Sequence, residues 1–175
     1  MQKPIAFVTL FIAAFTLVAA AQQDKSKRPS PPEQAQCKFT DGKTITIDYS
    51  SPRMKGRKIF GDLVPYGEVW RTGANEATTF ATTATLTVGS TNVPPGNYTI
   101  FTVPNQDKWT LIINKKTGEW GIPYKYEADE LGRVDMKVSA TSGPVENFTI
   151  GFSNTCELTM SWENTQASVG IGEKK

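Results

Sequence analysis

Thr44-Ile45-Thr46-Ile47-Asp48-Tyr49 alternates polar and apolar side chains without a break, and that period of two decides the fold. In an extended chain successive side chains point to opposite faces. Ile45, Ile47 and Tyr49 would therefore line a buried face while Thr44, Thr46 and Asp48 meet water. The same period returns at Leu86 and Val88, at Tyr98 and Ile100, and at Trp109, Leu111 and Ile113. It continues through Val134, Met136 and Val138, through Phe148, Ile150 and Phe152, through Cys156, Leu158, Met160 and Trp162, and through Val169 and Ile171. Turn residues fall between these runs: Gly89-Ser90, Pro94-Pro95-Gly96, Pro104 to Lys108, Lys115 to Gly118, and Ser142-Gly143-Pro144. A single helical hint, Tyr126 to Leu131, is about a turn and a half. Short strands joined by tight turns, with no long helical period, predict an all-β fold: an antiparallel β-sandwich or jelly roll with one long ordered loop.

Ahead of the strands the composition changes twice. Lys3 precedes an almost wholly apolar run, Ile5 to Ala21, that ends in small residues. Residues 1–21 are therefore expected to be a secretory signal peptide, cleaved after Ala21 or Ala20, with no membrane span once it is removed. Residues 22–36 are polar and proline-rich with nothing large to bury, which predicts a disordered tether. The folded domain is then 37–172.

Cys37 and Cys156 are the only cysteines. An even count in an exported chain suggests one disulfide, and their parity places both on apolar faces of strands. The chain carries 19 Lys+Arg against 17 Asp+Glu, a formal +2, too little to recruit nucleic acid. It contains no histidine, which excludes Ser-His-Asp, Cys-His and histidine-zinc chemistry. No cofactor is implied, and no oligomeric state follows from the sequence.

One stretch departs from the strand pattern. Ser50 to Ala77 is too long for an ordinary connection and too rich in large apolar residues to be disordered. Its apolar residues Ile59, Phe60, Leu63, Val64, Tyr66 and Trp70 should dock it on the sheet. It holds the cationic group Arg53, Lys55, Arg57 and Lys58, and the sequence Trp70-Arg71-Thr72-Gly73-Ala74-Asn75-Glu76. Tyr49-Ser-Ser-Pro-Arg-Met-Lys-Gly-Arg-Lys-Ile-Phe-Gly61, then Leu63-Val-Pro-Tyr-Gly-Glu-Val-Trp-Arg-Thr-Gly-Ala-Asn-Glu-Ala-Thr78, with Pro94-Pro-Gly-Asn-Tyr-Thr-Ile-Phe-Thr-Val-Pro104 and Trp109-Thr-Leu-Ile-Ile-Asn-Lys115, resembles the bacterial secreted family known as domain of unknown function 2911. The resemblance spans about 37–170 and implies an exported bacterial β-domain. It carries no activity and no site residues.

The candidate binding residues come from the side chains alone: Arg71, Asn75, Glu76, Glu68, Arg53, Trp120 and Tyr124. Arg71 can clamp a carboxylate or phosphate, or can form an internal ion pair with Glu68 or Glu76. Asn75 can read a hydroxyl or occupy a turn conformation. Trp70, next to Arg71 on an extended backbone, should face the opposite way, into the core. Asp62, Glu68 and Glu76 could supply a hydrolytic carboxylate pair, although loop acids more often partner nearby arginines. Trp120, Tyr124 and Tyr126 can stack on a ligand or plug one end of the sandwich. Arg71, Asn75 and Glu76 are expected to meet at one site beneath the loop. The leading function class is a non-enzymatic small-ligand or glycan binding module of the periplasm or cell surface. A carboxylate- or metal-dependent hydrolase and a structural or interaction protein of the envelope are the alternatives.

Overall fold

The structure, a computed structural model, describes residues 24–174; the signal peptide expected over 1–21 lies outside them. Strand β2, Thr44–Ser50, buries Ile45, Ile47 and Tyr49 as its alternation requires. Strand β1, Pro32–Lys38, pairs antiparallel with it so that Ala35 meets Ile47 and Cys37 meets Ile45. The next strands are β3 (Thr79–Thr82), β4 (Leu86–Val88), β5 (Thr91–Val93), β6 (Gly96–Val103) and β7 (Lys108–Asn114). They are followed by β8 (Glu130–Phe152), β9 (Leu158–Val169) and β10 (Ile171–Glu173). Seven form one sheet in the order β1-β2-β3-β6-β7-β8-β9, and β10-β4-β5 form a second. All pairings are antiparallel, so the protein is an all-β sandwich whose larger sheet curls into a half-barrel.

Curling brings the far strands back to the near ones. Just beyond β2, the Met54 N–H donates to the Glu146 carbonyl at 2.8 Å, and the Phe148 N–H donates to Pro52 at 2.9 Å. The Tyr49 hydroxyl accepts from the Ile150 N–H at 3.1 Å. Cys37 and Cys156 are disulfide-bonded with Cα atoms 5.7 Å apart, tying β1 to the turn between β8 and β9. Inside the curl, Trp109, Trp162, Phe80 and Phe148 are almost wholly buried, and the small sheet adds Leu86, Val88, Val93 and Ile171 to the same core. A second cluster, Ala77, Phe101 and Ile112, sits on the other face of β6 and β7 beneath Tyr124 and Tyr126. This is why β6 is buried on both faces.

Three expectations change. The tether does not reach residue 36: β1 begins at Pro32, because pairing with β2 satisfies its backbone and buries Ala35. Ser142-Gly143-Pro144 does not reverse the chain. Strand β8 runs on through it, and the register with β9 shifts between Ala140 and Val145 and again before Thr149, so an irregularity takes up the turn chemistry. Val169 and Ile171 lie on different strands, β9 in the large sheet and β10 in the small one. The short helical hint is a single 3-10 turn, Glu127–Asp129.

Candidate functional site

The segment between β2 and β3 docks through its apolar residues. Ile59, Phe60 and Val64 are buried, and a tight turn closes around them, with the Val64 N–H donating to Ile59 O and the Gly61 N–H to Val64 O, both at 2.9 Å. Phe60 meets Trp109 edge to face at 4.9 Å between centroids. Trp70 exchanges backbone hydrogen bonds with Thr102 on β6, 2.7 and 2.9 Å, and this pairing fixes which way its neighbours point. Its indole turns inward, as its position beside Arg71 predicts, stacks on Trp162 at 5.9 Å and meets Phe148 edge-on at 4.8 Å. Its N–H donates to Gly73 O at 3.0 Å. Gly73 has φ +150°, and a Cβ there would fall 2.8 Å from the Ser50 carbonyl oxygen. Thr78 closes the turn by donating its hydroxyl to Thr72 O at 2.7 Å.

Beside this turn lies a cleft of about 380 Å³. Trp70 and Trp162 line it together with Leu63, Val64 and Ile122, and its polar side chains are Ser30, Arg57, Glu68 and Arg71. Large exposed apolar side chains gather around it: Leu63 and Ile122 are 46 % and 39 % exposed, and Trp120, 57 % exposed, lies 5.5 Å from the Arg71 guanidinium. Apolar surface concentrated in one place, rather than scattered, marks a contact site.

Arg71 is half-buried, and burial pulls its pKa below the ordinary guanidinium value. Neither expected ion pair forms. Among the described residues its Nη1 donates to the Asn75 carbonyl at 2.8 Å, and no carboxylate lies within ion-pair distance. Glu76 points elsewhere, because Arg28 donates from Nη1 to both of its oxygens at 3.0 and 2.8 Å and Lys25 stands 3.2 Å away. Its own backbone N–H, then Arg28 and Lys25, hold its carboxyl down to about 2. Asn75, at φ 59°, donates its side-chain N–H to Ser30 O at 3.0 Å. Arg71, Asn75 and Glu76 are thus neighbours, but their side chains do not converge on one site. Arg71 lines the cleft at Trp70, whereas Glu76, with Lys25 and Arg28, lines a separate one of about 180 Å³.

The other candidates divide similarly. Glu68 lines the cleft at Trp70 and, together with Ile122 and Tyr124, another of about 420 Å³. Arg53 does not: its Nη1 donates to the Ser51 hydroxyl at 2.8 Å and its backbone bridges to Asn147. Tyr124 donates its hydroxyl to Glu130 at 2.7 Å and packs edge-on to Phe101 at 4.8 Å, and burial, followed by the hydrogen bond to Glu130, raises its pKa. It covers the outer cluster on the face of β6 and β7, while Trp120 stays exposed beside Arg71. Asp62, Glu68 and Glu76 do not share a cleft, and a carboxyl held near 2 is a poor proton donor. Ser30, Leu63, Ile122 and Trp162 line the cleft and were not among the binding candidates read from the sequence. Only Ile122, a large apolar residue between Gly121 and Pro123 and so unsuited to a central strand, carried a local signal.

By fold and site this is an all-β sandwich domain with a largely apolar cleft beside a docked, ordered loop. The chain belongs to the family described as Protein of unknown function (DUF2911), whose model matches residues 30–171. No curated protein and no solved structure matches it.

Proposed function

We propose that the protein is exported and serves as a non-enzymatic binding module of the periplasm or cell surface, taking a small ligand in the cleft at Trp70 and Arg71. The observation that carries this reading is Arg71: a half-buried guanidinium on the wall of an apolar cleft, with a carbonyl as its partner and no carboxylate to neutralise it among the described residues. A charge removed from water is ordinarily paired or kept where a ligand can reach it. The cleft also has the size of small-molecule sites, roughly 300–1,000 Å³. Export draws support from the apolar leader over 1–21 and from the Cys37–Cys156 disulfide, which suits an oxidising compartment.

A thermal-shift screen of the purified protein against sugars, peptides, lipids, small carboxylates and divalent metals tests the reading, since a ligand that binds the folded state raises its stability by mass action. At least one class should raise the melting temperature, and Ile122→Trp, which fills the mouth of the cleft, should abolish the rise. If no class does so, the protein is not a small-ligand binder.

A further inference from the structure

We propose that the ligand is a small monoanion on an apolar body, a carboxylate carried by an acyl or aryl group, with Arg71 holding the carboxylate; this rests on the binding-module reading and adds the ligand's chemistry. The apolar body follows from the lining. Leu63, Val64, Val69, Ile122, Trp70 and Trp162 all line the cleft, and Leu63 and Ile122 leave uncovered apolar surface there. An apolar group seated there removes that surface from water. A sugar fits this lining poorly. Its hydroxyls surround the whole ring and each loses water on entry, whereas the cleft offers few polar side chains to replace it.

The sign and number of charges follow from the polar residues. Arg57 and Arg71 both line the cleft, and among the described residues their guanidinium groups donate to backbone carbonyls and not to carboxylates. Glu68 is the one carboxylate in the lining. Two cations against one anion leave a surplus of a single positive charge, which a monoanion balances. A dianionic phosphate would carry a second negative charge toward Glu68.

Arg71 is the better anchor of the two arginines. Arg57 is exposed and already commits Nε to Met54 O at 3.0 Å and Nη2 to Arg53 O at 2.6 Å. Arg71 commits Nη1 to Asn75 O, and the Trp120 ring lies 5.5 Å from its guanidinium carbon. The fork is thereby held in place with N–H groups left over, the arrangement in which arginine binds a carboxylate through two parallel hydrogen bonds.

Calorimetric titration with octanoate and phenylacetate, set against their neutral counterparts octanamide and phenylacetamide, tests the assignment on the unaltered protein. The carboxylates should bind roughly ten- to a hundred-fold more tightly than the amides. Arg71→Gln should erase that difference, Arg71→Lys should restore part of it, and Ile122→Trp should remove binding of all four. Amides binding as tightly as carboxylates, or an Arg71→Gln protein that still prefers carboxylates, overturns the assignment of the anion to Arg71. The same holds if the broad screen yields sugars, peptides or metals as ligands while the carboxylates stay silent, and in each of these cases the binding-module reading survives. A cleft that binds nothing in the broad screen overturns both.

Discussion

Arg71 and Glu76 lie on one short stretch of chain, and the fold treats their charges in opposite ways. Glu76 is neutralised within the protein by Arg28 and Lys25, while Arg71 meets a carbonyl and an indole. Removing Arg71 therefore strands no buried carboxylate. Arg71→Ala should lower stability by about 1 kcal/mol or less, the scale of one hydrogen bond and a partly exposed cation–π contact; a loss of several kcal/mol in urea melts would mean an ion pair after all. Glu76 makes the contrasting prediction. Its carboxyl is held at about 2 in the folded protein against 4.5 ordinarily, so the unfolded chain takes up its proton first as acidity rises. The stabilisation is present above about pH 4.5 and is lost as pH falls toward 2. The side chain is 42 % exposed, so screening reduces the contribution to about 1 kcal/mol. Glu76→Gln should be less stable than the parent by that amount at pH 7 and equal to it near pH 2. At this scale the sequence was half legible. Adjacency alone placed Trp70 and Arg71 on opposite faces, but the partner of Glu76 is Arg28, 48 positions away in a segment with no apolar pattern to betray that it packs.

The docked segment from 51 to 78 is the element that makes the site, and its apolar side chains hold it down. Phe60 is buried against Trp109, Trp70 and Trp162, so Phe60→Ala should cost about 3–5 kcal/mol and open the segment to proteolysis in the otherwise native protein. Equal protease resistance in parent and variant would count against docking. Gly73 sets the turn that aims Arg71 at the cleft. A Cβ there meets the Ser50 carbonyl, and that oxygen is itself held, accepting from the Ala74 N–H at 3.2 Å. Gly73→Ala should therefore cost about 1–3 kcal/mol and displace Arg71 as well, weakening ligand binding beyond the stability loss. Strands were the most legible elements, since period-two alternation reports a half-buried sheet directly. Strand β8 shows where that fails: Ser142-Gly143-Pro144 has the composition of a reversal, yet the chain ahead and behind finds the same partner, β9, and tertiary pairing overrides the local preference.

For the whole molecule, closure of the curled sheet depends on two different ties. One is hydrogen bonding between 52–54 and 146–148. The other is the Cys37–Cys156 disulfide, which spans 119 residues and so constrains most of the domain when unfolded. The first tie acts in the folded state and survives reduction. The second acts chiefly by limiting the unfolded chain, by up to about 5 kcal/mol for a loop of this length on the chain-entropy model. The even cysteine count made this bond legible, although Cys156 lies in the turn before β9 at φ 58° and not on a strand face as its parity with Leu158 suggested. The hydrogen-bonded tie was not legible, because nothing local in Pro52-Arg53-Met54 distinguishes a strand extension from a loop. The double variant Cys37→Ala/Cys156→Ala should therefore fold to the same structure, with the near-ultraviolet circular dichroism of the Trp70, Trp109 and Trp162 cluster unchanged, while its urea midpoint falls by the equivalent of about 2–5 kcal/mol. A midpoint equal to the parent's, together with two alkylatable thiols in the denatured but unreduced parent, would show that the cysteines are not bonded. Loss of the tryptophan signal would show that the disulfide, rather than the 52–54 pairing, holds the sheet closed.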